Sequence, residues 1–171
     1  HDEAPHSESR LNQHAAAVPC QACHIPFFAK EMATKIWWDW STSGDSERKN
    51  VKDRFGHDTY VKKKGDMVYD KMIVPEYAWY LDGKNQAYIR GEKLDPAEVL
   101  VMAGPTATIK DAKARISPFK VMKGKQAYDA KNKILIANHL VGDDGYWHTF
   151  DWKEAAAIGM KAAGLPFSGE V

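Results

Sequence analysis

The two cysteines of this 171-residue chain, Cys20 and Cys23, are separated by two residues, and His24 follows the second directly. The chain contains no other cysteine. A C-x-x-C-H segment constrains the structure more than any other feature here. Each chemistry that uses such a segment fixes both sulfur atoms, either on a metal ion, in a disulfide or on a porphyrin. What these side chains bind is therefore the main question that the sequence poses.

Three chemistries compete for this segment. A structural zinc site needs four ligands, but a second cysteine pair is missing and His139 and His148 are nine positions apart. A redox-active dithiol would follow a parallel strand at the start of a helix, which residues 14–19 match poorly. Thioether attachment to haem suits the segment, because both sulfurs reach the porphyrin edge and the histidine binds the iron. We therefore predict one covalently bound haem c per chain, held by Cys20 and Cys23, with His24 as the proximal iron ligand.

The second axial ligand stays open at this point. Methionine and lysine side chains are candidates, as are six further histidines: His1, His6, His14, His57, His139 and His148. His14 stands six residues before Cys20, too close to reach the far side of the same haem, so it is a candidate ligand of a neighbouring haem. His139 is remote enough in sequence to approach from the distal side and is the other candidate that we favour.

Aromatic side chains follow the cysteine motif closely. Trp37 and Trp38, with Trp40 beside them, form a cluster that we expect to pack on a large flat hydrophobe. We therefore predict that Trp37 and Trp38 contact the porphyrin. A haem buries several hundred square ångströms at about 25 cal/mol per Å², so the cofactor itself can supply much of the core and weak regular structure is expected.

Two helices are predicted from local patterns. From Pro26 to Ile36 the apolar residues recur at helical spacing. At the other end of the chain, Asp151 is placed to cap a helix, Glu154 follows as in a capping box, and Gly164 ends the alanine-rich segment. Tyr77–Leu81 and Gln86–Arg90 are predicted to form a β-hairpin.

These elements predict a mainly α fold with much irregular structure and a small β-hairpin, arranged as a haem-centred c-type cytochrome domain. A chain of this length is expected to form a single domain, residues 1–171. We divide it into four parts: an extended arm (1–13), a haem-attachment segment (14–44), a loop-rich region with the hairpin (45–150) and a C-terminal helix (151–164).

Charge and hydropathy narrow the range of partners. The number of lysines plus arginines (24) nearly equals the number of aspartates plus glutamates (23), so the chain lacks the large net positive charge that attracts nucleic acid. Its apolar runs are far shorter than the roughly 20 residues of a transmembrane helix. Because the chain begins with histidine and shows no cleavable leader, we expect a processed chain or a fragment.

Four blocks of sequence resemble the octahaem tetrathionate reductase family of multihaem c-type cytochromes. They are Cys20–Pro26, Lys35–Ser41, Pro118–Gln126 and Tyr146–Trp152, and the similarity runs in the same order from about Leu11 to Glu170. The resemblance implies a periplasmic or extracellular protein that passes electrons through closely spaced haems and, in the family, reduces sulfur or nitrogen oxyanions. Family members carry eight haem motifs and this chain carries one, so it resembles an isolated segment.

Two functions follow as hypotheses. The first is an electron-transfer module within a multihaem assembly, whose partners are other haem-bearing chains, copies of itself and redox partners; within such an assembly, His14 would complete a neighbour's coordination. The alternative is the catalytic part of a multihaem oxidoreductase that acts on sulfur or nitrogen oxyanions. The family's active-site haem is lysine-ligated, and the resemblance makes Lys120 or Lys123 a conceivable ligand, with Lys125 helping to attract oxyanions.

Overall fold

Short segments that are far apart in sequence pair to form the sheets of this protein. The computed structural model describes residues 4–171. The helices in that range are α1 Ser9–His14, α2 Cys20–His24, α3 Tyr146–Thr149 and α4 Trp152–Ala162, with a 3-10 turn at Trp40–Thr42. The strands are β1 Thr34–Asp39, β2 Tyr60–Val61, β3 Gly65–Asp70, β4 Glu76–Tyr80, β5 Asn85–Ala87, β6 Ala103–Pro105, β7 Arg115–Phe119, β8 Lys123–Lys125, β9 Tyr128–Asp129 and β10 Ile134–Leu135.

The prediction of a mainly α fold is wrong. The structure is 17% helical and 24% strand, and its strands form several separate sheets. The helix predicted over Pro26–Ile36 is absent, because Ala29 adopts a positive φ of 59° and Thr34 begins a strand. Phe28 instead forms an isolated antiparallel bridge with Ile73. Apolar residues at helical spacing therefore lie here in a β-bridge and a β-strand rather than in a helix.

The predicted hairpin of Tyr77–Leu81 with Gln86–Arg90 is also wrong. Strand β4 pairs antiparallel with β7, and β5 pairs antiparallel with β6. Each strand of the expected hairpin therefore takes a partner from later in the chain. Adjacent strands do pair antiparallel elsewhere, in β2 with β3 and in β9 with β10.

The chain divides into two compact units. The first unit comprises the segment up to Thr34 together with Asp70–Ala87 and Val101–Val121. It contains α1, α2 and the two-stranded sheets β4–β7 and β5–β6. The sequence motif with both cysteines therefore belongs to a unit whose regular framework is two small antiparallel sheets.

The second unit comprises Lys35–Tyr69, Tyr88–Leu100 and Met122–Val171. Its four-stranded sheet has the order β2-β3-β1-β8, and β1 and β8 run parallel with Trp38 opposite Gly124. The hydrophobic core of this unit lies where α4 packs on the β10 segment, through Ile134, Ile136, Ala156 and Met160. Unit 2 therefore has a core made of its own side chains.

Helix α4 confirms the element that the sequence predicts most clearly. The Asp151 side chain accepts a hydrogen bond from the Glu154 amide at 2.9 Å, which satisfies one of the free N–H groups of the first turn. Gly164 follows the helix with a φ of +68°, the left-handed conformation that glycine adopts without a steric cost. Local capping residues therefore determine both ends of this helix.

Asp129 is a fully buried carboxylate in unit 2. It accepts hydrogen bonds from the amides of Lys131, Asn132 and Ser168, and from the Asn132 and Ser168 side chains. Burial favours the neutral carboxyl and works to raise its pKa, but these donors outweigh burial and lower the pKa to about 2. The charged form of Asp129 therefore ties the segment around Ser168 to the turn after β9.

We expect this carboxylate to make the stability of unit 2 depend on pH in the acid range. Its pKa is lower in the folded than in the unfolded chain, so its contribution is complete above about pH 4 and is lost as the pH falls toward 2. The difference from the ordinary aspartate pKa of 3.8 corresponds to about 2 kcal/mol. Urea unfolding of Asp129→Asn should show a loss of that order at pH 7 and a smaller loss at pH 3. The exposed Asp143→Asn is the control, and equal losses at both pH values would contradict the assignment.

Candidate haem site

Helix α2 presents both cysteines and the histidine of the motif on one face. Positions three and four apart lie on the same side of a helix, so Cys20, Cys23 and His24 project together. Both cysteines are free thiols, and all three residues are exposed. Two nucleophilic sulfurs and one imidazole are therefore accessible on a single turn of helix.

The sheet β4–β7 supports the helix from unit 1. Strand β7 packs against α2, and the Ile116 amide donates a hydrogen bond of 2.8 Å to the Ala17 carbonyl just before the helix. The Tyr77 hydroxyl donates to the Ala22 carbonyl at 3.4 Å. Both hydrogen bonds use backbone carbonyl oxygens, so they hold α2 in place without engaging the side chains of the motif.

A cleft of about 510 Å³ opens beside the same helix. Its wall includes Gln21, Ile25, Phe28, Tyr80 and Phe119. On the helix, Gln21 is rotated from Cys20 by about a hundred degrees, as roughly 3.6 residues per turn requires, and Ile25 follows the last helical residue. Neither cysteine contributes to the wall of this cleft, although the neighbouring Pro19 and Gln21 do.

The structure brings a second histidine to the motif face. The ring centroids of His6 and His24 are 6.2 Å apart, and the ring planes are inclined by 18°. Asn12 holds His6 in place, since its Oδ1 accepts from the His6 amide at 3.0 Å and its Nδ2 donates to the His6 carbonyl at 2.8 Å. Asn12 Oδ1 also lies 3.3 Å from Nδ1 of the His6 ring. Sequence patterns give His6 no preference over the other histidines.

Comparison with known proteins relates this site to a family. The family model described as bacterial cytochrome c matches residues 35–171, most of the chain. The chain belongs to the bacterial cytochrome c family. Octahaem cytochrome c from Shewanella oneidensis is a solved structure similar to this cytochrome, at 49% sequence identity and a TM-score of 0.91 over 99% of the present chain. No curated protein matches significantly.

These similarities confirm the resemblance to octahaem cytochromes, the covalently bound haem c and the role as a haem-based electron-transfer module. The cytochrome described here spans 40% of the length of the Shewanella chain. The matched family region begins after His24, so it does not include the C-x-x-C-H segment. The assignment of individual residues to the haem therefore depends on the geometry of this chain.

The donor set on α2 fits haem c. Two free thiols on one helix face are what attachment to the two vinyl groups requires, and the adjacent imidazole supplies an axial nitrogen. The competing zinc site is not assembled in the described part of the cytochrome, because no three His, Cys, Asp or Glu side chains converge there as a metal site. Within residues 4–171, no helix is long and apolar enough to cross a membrane.

The two histidines favoured from the sequence lie in different surroundings. His14 is the last residue of α1 and is exposed, and its backbone carbonyl accepts hydrogen bonds from Ala17 and Val18. His139 belongs to unit 2, where its Nε2 lies 2.8 Å from Asp144 Oδ1. The hydrogen bond from His139 lowers the pKa of the Asp144 carboxyl. His139 is therefore engaged by a carboxylate, whereas the ring of His14 has no hydrogen-bond partner within the described residues.

The remaining histidines are dispersed. His57 stacks on Tyr69 with ring centroids 4.3 Å apart, and His148 lies in α3. Both belong to unit 2. His1, the last of the candidates, lies outside the described residues. Of the described candidate histidines, the structure therefore brings His6 to the ring of His24.

The tryptophans after the motif pack among themselves in unit 2. Trp38 stacks on Trp40 at 4.7 Å, and Trp40 meets Trp152 edge-on at 6.0 Å. The Trp38 indole N–H donates to the Lys64 carbonyl at 2.7 Å, and the Lys35 ammonium lies 4.0 Å from the Trp38 ring centroid. Burial, and then the charge of Lys64, lower the pKa of Lys35. Contacts within unit 2 therefore account for the position of Trp38 without the porphyrin.

Trp37 lies on β1, and two of the three lysines named for the catalytic alternative, Lys123 and Lys125, lie on β8. Trp37 is paired with Lys123 in the parallel ladder, and Lys123 and Lys125 are exposed. Lys120 lies in unit 1, where its ammonium donates to Thr34 Oγ1 at 2.9 Å. Lys120 is therefore held by a hydroxyl, and the other two lysines present their charge to solvent.

Proposed function

We propose that Cys20 and Cys23 attach the haem and that His24 binds its iron, so that this chain carries one redox centre of a multihaem electron-transfer protein. The observation that carries the proposal is the exposed face of α2, which bears two free thiols and an imidazole on one turn. Each thiol adds across one vinyl group, so its S–H bond is replaced by an S–C bond and no oxidant is consumed. Bound in this way, the haem supplies a one-electron iron couple.

The protein residues supply attachment and orientation. His24 follows Cys23 directly, so the helix fixes the imidazole relative to both thioether bonds. The contact of α2 with β7 and the hydrogen bond from the Tyr77 hydroxyl restrain the helix that carries the motif. A fixed iron position keeps the distance to a second redox centre constant, which a chain of haems needs.

The setting of the cytochrome is part of the same proposal. Its partners are other haem-bearing chains or copies of itself, which the similarity to an octahaem cytochrome supports. We place it in the periplasm or outside the cell, because the cytochromes it resembles are exported. The near balance of 24 basic and 23 acidic residues gives no general attraction to nucleic acid.

A catalytic part of a multihaem oxidoreductase is the second candidate. The observation that favours it is the pair of exposed lysines on β8, Lys123 and Lys125, which would attract sulfur or nitrogen oxyanions. A single one-electron centre is poorly suited to a multi-electron reduction. Electron transfer is therefore the function that we put first.

Carbon monoxide and candidate substrates separate the two functions. We expect the purified haem-loaded chain to undergo a reversible one-electron reduction, with no spectral change when carbon monoxide is added to the reduced form. We expect no turnover of tetrathionate, nitrite or hydroxylamine with an excess of reductant. Tight carbon monoxide binding together with turnover would contradict the electron-transfer assignment, and Lys123→Ala with Lys125→Ala would then test the role of the exposed charges.

A further inference from the structure

We infer that His6 is the second axial ligand of the haem that His24 binds. This inference rests on the proposed haem attachment at Cys20 and Cys23. It concerns the residue on the far side of the iron, which sequence patterns leave open among several histidines. The N-terminal arm of the chain would then be a part of the haem site.

The separation of the two imidazoles is the first observation. A metal–imidazole nitrogen bond is about 2 Å long, and the ring centroid lies about 1 Å behind that nitrogen, so two imidazoles on opposite sides of one metal have centroids about 6 Å apart. The His6 and His24 centroids are 6.2 Å apart. One iron atom with its porphyrin plane between the rings therefore matches the observed distance.

Asn12 is the second observation. A metal-bound histidine donates its other ring N–H to an acceptor, and this hydrogen bond fixes the tautomer and the ring orientation. Asn12 Oδ1 lies 3.3 Å from His6 Nδ1, so it can accept that proton and leave the lone pair of Nε2 for the iron. The same amide group also binds the His6 backbone on both sides, through its oxygen and its nitrogen. His6 is therefore positioned as a ligand with its supporting acceptor in place.

The path of the chain is the third observation. Thirteen residues separate His6 from Cys20 and can span more than about 40 Å when extended, so chain length does not prevent His6 from reaching the far side of the haem. Helix α1 lies within this segment, and Asn12 belongs to that helix. His14 is at the end of the same helix, and its tether to Cys20 is much shorter.

Two imidazoles on one iron have defined consequences. The iron is six-coordinate and low-spin, and it has no open position for carbon monoxide or an oxyanion. Histidine as the second ligand gives a lower reduction potential than methionine does. The inference therefore agrees with electron transfer and disagrees with substrate binding at this iron.

An offset aromatic pair is the competing explanation, since such pairs occur at centroid distances of about 4.5–7 Å. The angle of 18° between the rings excludes only the edge-to-face form of such a pair. Aromatic packing does not account for an amide oxygen 3.3 Å from Nδ1 of the His6 ring. The two explanations also predict different spectra, because only a ligand changes the coordination of the iron.

Exchange of the ligand type tests the inference. In the haem-loaded chain, we expect His6→Met to stay six-coordinate, to replace the bis-imidazole near-infrared band of the oxidised iron by a histidine–methionine band, and to raise the reduction potential. We expect His6→Ala to become high-spin and to bind carbon monoxide, and added imidazole to restore the original spectrum. His14→Ala, on the same arm, is the matched control and should change neither band nor potential.

A bis-imidazole spectrum that persists in both His6 variants would overturn the inference, as would loss of that spectrum in His14→Ala or His139→Ala. Mass spectrometry of the same samples distinguishes a failure of the proposed haem attachment from a failure of the ligand assignment. If no haem is covalently bound to the parent chain, the proposed attachment itself fails. If haem is bound at Cys20 and Cys23 but the His6 variants leave its spectrum unchanged, only the ligand assignment fails.

The reduction potential of Asn12 variants provides a second test, and loss of folding would not produce its expected result. Removal of the acceptor in Asn12→Leu should weaken the donation of electron density by His6 and raise the reduction potential. A charged acceptor in Asn12→Asp should strengthen that donation and lower the potential. Potential shifts of opposite sign are expected for a residue that positions the ligand, and shifts of equal sign would contradict that role.

Discussion

Replacement of both Cys20 and Cys23 by alanine is expected to abolish covalent haem attachment completely. Each thioether needs one cysteine sulfur, and the chain has no other cysteine that could substitute. Either single variant should retain one bond to the porphyrin. Intact mass under denaturing conditions and haem absorbance after acid–acetone extraction measure the result directly.

The matched control for this experiment is Gln21→Ala, an exposed position of the same helix between the two cysteines. This variant should carry a full complement of haem, because neither sulfur nor the axial imidazole is altered. Covalent haem that survives in the double cysteine variant would refute the attachment site. Zinc bound stoichiometrically by the parent chain in place of haem would refute it equally.

Gly159→Ala is expected to destabilise the second unit by about 3 kcal/mol or more, the upper range for overpacking. A Cβ at this position of α4 would lie 1.8 Å from the Ala137 carbonyl oxygen and 2.7 Å from the His139 amide nitrogen. Backbone atoms cannot relieve the clash by a change of rotamer, as a flexible side chain can, so the helix itself must move. This steric cost outweighs the gain of about 1 kcal/mol that alanine normally gives in a helix.

Ala157→Gly is the matched control, because Ala157 is exposed in the same helix. This control should lose only the propensity difference of about 1 kcal/mol. Urea unfolding followed by far-ultraviolet circular dichroism compares the two variants with the parent. If Gly159→Ala were as stable as the parent, the close approach of α4 to the Ala137 carbonyl would be wrong.

Elements with local signals could be predicted from the sequence. Helix α4 is specified by Asp151 at its start and Gly164 after its end, and each acts within one turn of the helix. The turn at Asp82–Asn85 is also predicted by local residues, but the strands on either side of it, β4 and β5, pair with strands that are distant in sequence. A turn pattern fixes the direction of the chain, whereas packing across the whole unit decides which strands pair.

The failed helix at Pro26–Ile36 shows the same limit. Its periodicity treats Met32 as a core residue, yet Met32 is 81% exposed. Phe28 is used in a bridge to Ile73, far away in sequence, and Ile36 lies within β1. An apolar repeat over three turns therefore gave the wrong secondary structure because tertiary contacts overrode it.

Part of the proposed haem site could likewise be predicted from the sequence, and part could not. The attachment motif is continuous in sequence, so its chemistry can be predicted from five residues. The proposed ligand His6 lies in a polar arm without periodicity, and its distinguishing feature is the amide of Asn12, which approaches only when α1 forms. Spacing along the sequence instead made His14 a candidate ligand of a neighbouring haem and His139 the candidate on the distal side. A conformation-dependent hydrogen bond leaves no signal that a spacing rule can detect.

The support of α2 by β7 affects the order in which the protein matures. Synthesis proceeds from the N-terminus, so Cys20 and Cys23 emerge long before Arg115–Phe119 exists to pack against them. The closing of so long a loop is slow compared with the formation of a single helical turn. Both sulfurs are therefore accessible before the sheet can form, and the proposed haem attachment needs the five-residue motif rather than the folded first unit.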